Sequence, residues 1–136
     1  MRKLSSVLLV DDDPTTNFLN QLLLRQMAVA EELLVAENGA EALRILDQNY
    51  RLPEATTGPA LILLDVNMPV MNGLAFLEAY QQLAPLPSPP VIIVLTTSMH
   101  QPELARIQAL PIAGILSKPL TREKVLSVLQ AHFSEH

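Results

Sequence analysis

Leu61-Ile62-Leu63-Leu64-Asp65 is a run of four large aliphatic side chains closed by a carboxylate. It is too short for a buried helix and lacks polar alternation, so it reads as a β-strand covered on both faces, as in a parallel sheet. The same signature recurs on either side, at Val7–Val10, Leu33–Ala36, Val91–Leu95 and Ala113–Leu116.

The intervening segments carry helical spacing. Phe18, Leu19, Leu22, Leu23 and Met27 form one stripe, Ala42, Leu43, Ile45 and Leu46 a second, and Leu74, Leu77, Tyr80 and Leu83 a third, each expected to pack on the sheet. A fourth helix is expected from Gln101 to Leu110, with Pro102 in its first turn and Pro111 ending it. A fifth runs from Arg122 to His132 behind Thr121 as N-cap. Strands alternating with helices make an α/β domain whose crossovers turn right-handed around a parallel sheet. The longer connections, Asn49–Pro59 and the proline-rich Pro85–Pro90, read as surface loops within one domain. A single domain over residues 1–136 is expected, with no output domain, since four residues follow His132.

Composition removes several function classes. The chain has no cysteine, which excludes disulfides, thiolate metal sites and a cysteine nucleophile. Its formal net charge is −5 and its nine Lys and Arg are scattered, so no nucleic-acid partner is expected. The apolar run after Arg2 and Lys3 is four residues long and ends in three aspartates. A signal peptide needs roughly 7–15 apolar residues and a membrane span ~20, so a cytoplasmic chain without membrane insertion is expected.

Ligands of open parallel sheets bind at the carboxyl ends of the strands. The residues there are Asp11, Asp12 and Asp13 after the first strand, Asp65 after the third, Thr96 and Thr97 after the fourth, and Ser117, Lys118 and Pro119 after the fifth. Converging carboxylates repel unless a cation compensates. Oxygen donors without His or Cys point to Mg²⁺, which readily bridges carboxylates to phosphate oxygens. The set therefore suits phosphoryl transfer: the Asp65 carboxylate attacks phosphorus, while Lys118 and the Thr96 hydroxyl bind the oxygens of the transferred group.

Val10-Asp11-Asp12, Leu64-Asp65-Val66-Asn67-Met68-Pro69 with Asn72-Gly73, Leu95-Thr96 and Lys118-Pro119 together resemble the receiver domains of two-component response regulators, over essentially the whole chain. The resemblance implies a flavodoxin-like doubly wound fold with strand order 2-1-3-4-5. It implies Asp65 as phosphoacceptor, Mg²⁺ held by Asp11, Asp12, Asp65 and the backbone carbonyl of Asn67, and Thr96 and Lys118 on the phosphoryl group. It also implies a commonly cis Lys118-Pro119 peptide, and an acceptor that catalyses its own phosphorylation and dephosphorylation rather than a turnover enzyme. The implied phosphodonor is a sensor histidine kinase or a histidine phosphotransfer protein, met by the first helix and the loop after Lys118. A downstream protein, not named by the sequence, would read helix four, strand five and helix five.

Several residues have ordinary structural roles. Asp13 before Pro14 is expected to cap the first helix, and Gly73 to supply backbone freedom at a loop-helix junction. His100, His132 and His136 show no metal spacing and are expected in solvent. Ile115 stands where many receivers carry Tyr or Phe three residues before the lysine. An aromatic flip is thus unavailable, and output is expected through the loop Thr97–Pro102 and helix four. Asn67 and Ser98 occupy positions that tune phosphate lifetime in the family. Two other readings compete. Asp11-Asp12-Asp13-Pro14-Thr15 fits the Asp-x-Asp-x-Thr pattern of haloacid-dehalogenase-like phosphatases, with Asp11 as nucleophile and Asp13 as acid/base. A receiver-like binding module without phosphorylation is the other.

Overall fold

In the computed structural model the residues described are 3–51, 59–66, 73–82, 90–97, 103–110 and 112–133. Strands and helices alternate strictly: β1 (Leu4–Val10), α1 (Pro14–Gln26), β2 (Ala30–Ala36), α2 (Gly39–Arg51), β3 (Leu61–Asp65), α3 (Gly73–Tyr80), β4 (Val91–Thr96), α4 (Glu103–Gln108), β5 (Gly114–Ser117) and α5 (Arg122–Phe133). All neighbouring strands pair in parallel, in the order β2-β1-β3-β4-β5. The chain order reverses at β1, so β1 and β3 flank the crevice at their carboxyl ends where ligands of this topology bind.

The three central strands explain why the apolar runs show no polar alternation. Leu8 and Val10, Ile62 and Leu64, and Ile92 and Val94 face one core together with Leu46, Phe76, Leu77 and Ile107 from α2, α3 and α4. Val7 and Leu9, Leu61 and Leu63, and Ile93 and Leu95 face the other, closed by Leu24 of α1 and Val125, Val128 and Leu129 of α5. Period-two alternation is present, but both faces are covered.

β1 and β2 begin three residues earlier than their apolar runs. Ser5 and Ser6, and Glu31 and Glu32, are extended residues that hydropathy leaves out. β2 is an edge strand and its glutamates are exposed, which a strand paired on one side tolerates. β5 is shifted by one residue and includes Ser117. α4, expected over Gln101–Leu110, is observed over Glu103–Gln108 and ends two residues before Leu110; Gln101, Pro102 and Pro111 lie outside the described residues. Most of the two long connections also lies outside them.

α1 corrects the sequence reading most sharply. Phe18, Leu19 and Leu22, expected on the sheet, are 62%, 55% and 44% exposed, whereas Asn17, Asn20 and Leu24 are buried. Leu23 and Met27 do flank the core. Positions 17, 20 and 24 keep helical spacing, so the helix is rotated relative to the stripe. The start of the helix fixes that rotation. Asp13, in extended conformation, caps Thr15 N–H at 3.1 Å ahead of Pro14, and the Asn17 amide turns inward to donate to the Asp11 carbonyl at 2.8 Å. The helix ends in a left-handed turn at Ala28, φ 53°, with Val29 N–H donating to Leu24 O at 3.1 Å and Ala28 N–H to Arg25 O at 3.0 Å.

Candidate functional site: an acidic pocket with one lysine

Four strand ends converge at the carboxyl rim of the sheet. Asp11 continues the β1 ladder, its N–H donating to Ala36 O at 3.1 Å, before the chain turns into α1. Asp65 is the last residue of β3 and Thr96 the last of β4. Lys118 follows β5, and its N–H donates to Thr96 O at 2.7 Å, which ties the β5–α5 loop to β4. The Lys118-Pro119 peptide is cis.

Asp11, Asp65 and Thr96 are buried, at 4%, 3% and 0% exposure, while Asp12 is open to solvent. Lys118 Nζ donates to Asp11 Oδ2 at 2.9 Å and stands 3.1 Å from Asp65 Oδ1. Burial pulls the lysine pKa down, but the hydrogen bonds and charges of Asp11 and Asp65 outweigh this and raise it above the ordinary value. The ammonium is therefore cationic across physiological pH.

Asp11, Asp12 and Asp65 each offer an oxygen within 4.8 Å of the others. Three carboxylates against one ammonium leave two formal negative charges, the charge of one divalent cation. All donors are hard oxygens, with no imidazole or thiolate among them, so the residues fit Mg²⁺ in preference to a softer metal.

Asp13 stands apart from this cluster. Its carboxylate accepts from Thr15 N–H and from the Thr16 hydroxyl at 2.7 Å, and those bonds hold its pKa below the ordinary carboxylate value. Capping thus accounts for the third aspartate, and it is not placed as the acid/base that a phosphatase reading of Asp11 would require. Asn67, the remaining expected metal ligand, lies outside the described residues, as do Ser98, His100 and His136. His132 is exposed near the end of α5, and Gly73 opens α3.

Sequence reasoning missed two residues. Asn17 lies six positions after Asp11 and is buried beneath it; a polar side chain on the inward face of a helix is the signal, but it emerges only once the rotation of the helix is known. Lys124 donates to Ser117 O, Ser117 Oγ and Pro119 O at 2.7, 3.2 and 3.0 Å, so it clasps the residues on both sides of Lys118. Read along the chain, it is one more solvated lysine on a helix.

Beside the pocket, between α1 and the β5–α5 loop, opens a cleft of about 520 Å³ lined by Leu19, Leu23, Leu95, Lys118 and Pro119 among others. Ile115 is half-buried against the α2–α4 core and pairs in register with Val94.

Residues 7–130 match the family model of the response regulator receiver domain. The chain belongs to that family. This receiver is 30% identical over 124 residues to the response regulator Rcp1 of Synechocystis, covering 91% of the chain and 83% of Rcp1. It is 34% identical over 114 residues to a protein-glutamate methylesterase/protein-glutamine glutaminase of Agrobacterium fabrum, spanning 84% of the chain but only 29% of that protein. A solved structure of a two-component response regulator from Cytophaga hutchinsonii superposes with a TM-score of 0.84 at 30% identity, over 96% of this chain and 97% of that one. The receiver accordingly works in two-component signal transduction, and the flavodoxin-like strand order expected from resemblance is the order observed.

Proposed function

We propose that this receiver takes a phosphoryl group from a phosphohistidine onto Asp65, in a reaction that requires Mg²⁺ at Asp11, Asp12, Asp65 and the Asn67 carbonyl. The observation that carries this reading is the single lysine poised between Asp11 and Asp65, beside a third carboxylate within 4.8 Å. Three converging carboxylates repel one another, and Lys118 offsets only part of that repulsion, so the cluster is costly without a bound cation.

An oxygen of the Asp65 carboxylate forms the new bond to phosphorus while the P–N bond to the donor imidazole breaks. The electron pair stays on the imidazole nitrogen. Lys118 then moves its hydrogen bond from the carboxylate to a phosphoryl oxygen, and the Thr96 hydroxyl serves a second oxygen. Bound Mg²⁺ would neutralise charge on the phosphoryl oxygens. Asp11, held by Lys118 at 2.9 Å and by the Asp13 N–H at 2.9 Å, supplies a fixed carboxylate beside Asp65.

The donor is a sensor histidine kinase or histidine phosphotransfer protein. Phe18, Leu19 and Leu22 are exposed apolar side chains of α1, and Leu19 lines the cleft that Lys118 also lines, which suits an apolar helical surface carrying the phosphohistidine. A downstream protein reads the α4–β5–α5 side. The reading includes a cytoplasmic site of action; among the described residues no helix is long and apolar enough to cross a membrane.

The test is incubation with Mg²⁺ and acetyl phosphate followed by intact mass measurement. Wild type gains one labile phosphoryl group and Asp65→Asn gains none. Labelling of Asp65→Asn to the wild-type level would assign the acceptor elsewhere.

A further inference from the structure

Asn17 is a buried side chain that the phosphoryl chemistry does not use. It sits on the inward face of α1, 5% exposed, and its Nδ2 donates to the main-chain carbonyl of Asp11 at 2.8 Å. Its own Oδ1 is buried without a hydrogen-bond partner. An unsatisfied buried acceptor costs stability, so an apolar residue of similar volume would serve a purely structural position better. What asparagine supplies there is one N–H donor, aimed at one carbonyl.

That carbonyl belongs to the Asp11-Asp12 peptide. Because the peptide unit is planar, fixing its oxygen fixes the direction in which the chain leaves Asp11, and with it the position of Asp12. The other attachments of Asp11 act elsewhere. Its N–H donates to Ala36 O, its Oδ1 accepts from Asp13 N–H, and its Oδ2 accepts from Lys118. Those bonds place the Asp11 backbone nitrogen and carboxylate; among the described residues, the Asn17 amide is the group that holds the plane leading to Asp12. Asp12 is exposed, so its carboxylate has no surrounding packing to settle its position.

We infer that Asn17 is a positioning residue for the cation site, holding the Asp11-Asp12 peptide so that both carboxylates are set before Mg²⁺ arrives. Hydrogen bonds that orient metal ligands from behind typically govern affinity by 10–100-fold, as this one is placed to do. The inference rests on the Mg²⁺ reading proposed above.

Asn17→Leu removes the donor at nearly constant volume. Mg²⁺ affinity is read by isothermal titration with MgCl₂ in the absence of phosphodonor, alongside the Tm of the apo protein. Asn17→Leu is expected to bind Mg²⁺ about 10-fold more weakly than wild type. Leu24→Ala, on the same buried face and within the hydrophobic core, is expected to lower Tm while leaving the affinity of the folded protein unchanged. Should Asn17→Leu not fold, Asn17→Ala carries the same expectation. Wild-type affinity in the asparagine variant, or an equal loss in Leu24→Ala, overturns the inference. Absence of Mg²⁺ binding by the wild type overturns the underlying reading instead.

Discussion

Lys118 Nζ lies 2.9 Å from Asp11 Oδ2 and 3.1 Å from Asp65 Oδ1, so a single ammonium bridges the strand ends β1 and β3 across the crevice. In this position it offsets the repulsion between two buried carboxylates, and it also occupies the oxygen environment that a phosphoryl group would enter.

Replacing it separates those roles. Lys118→Met should slow phosphorylation by acetyl phosphate by about 10²–10³-fold, the usual loss when a donor to developing charge is removed. It should also tighten Mg²⁺ binding, because the competing cation is gone. Labelling kinetics and Mg²⁺ titration check the two halves independently, and weaker Mg²⁺ binding would contradict the bridging role.

The alkaline limb of stability follows from the same residue. Lys118 is raised above its ordinary 10.5, since the carboxylate partners outweigh burial. A raised lysine contributes its stabilisation in full below that ordinary value and loses it as pH climbs through the higher folded value. Wild type should therefore lose Tm more steeply than Lys118→Met above pH 10.5. Parallel Tm curves for the two proteins would refute this.

Asp13 sets an acidic limb. Hydrogen bonds from the Thr16 hydroxyl and Thr15 N–H lower its pKa below the ordinary 3.8, so its capping contribution is present above that value and fades as pH falls through the lower folded one. Asp13→Ala should lower Tm at neutral pH and flatten the acid dependence, while Mg²⁺ affinity stays at the wild-type level.

Ala28 occupies the left-handed C-terminal position of α1, where glycine is the usual residue. A left-handed alanine costs about 1–2 kcal/mol, and glycine returns part of the gain through its freer unfolded chain. Ala28→Gly should stabilise the domain by about 0.5–1 kcal/mol in urea denaturation. A loss of stability would indicate a turn set by something other than backbone sterics.

The exposed apolar side chains of α1 give a test with two donors. Phe18→Asp should leave labelling by acetyl phosphate and the Tm unchanged, since the side chain is 62% exposed. Transfer from a phosphohistidine-bearing partner should fall about 10-fold or more, as expected for a central apolar contact. Equal loss with both donors would place the defect in the site and not in docking.

The strands were legible because parallel β-structure covered on both faces leaves contiguous aliphatic runs, with Asp65 directly after one such run and Lys118 one residue beyond another. The site residues were legible for the same reason: strand ends on one rim are brought together by topology alone. The orientation of α1 was not. Its apolar residues are spread around much of the circumference, so hydropathy favoured Phe18, Leu19 and Leu22 while the Asn17–Asp11 hydrogen bond turned another face inward. The extra strand residues at Ser5 and Glu31 were hidden because backbone pairing, not side-chain burial, extends a strand at the edge of a core. Lys124 escaped notice because two of its three partners are backbone oxygens, which carry no sequence signature.

The exposed glutamates of β2 bear on how copies of this protein can meet. Two β2 edges approaching one another would bring Glu31 and Glu32 of each chain against the same residues of the other, and like charges facing across paired strands are repulsive. The opposite border, β5, offers only Gly114–Ser117 for pairing. A continuous sheet through two molecules is thus discouraged by charge at β2 and by the shortness of the strand at β5.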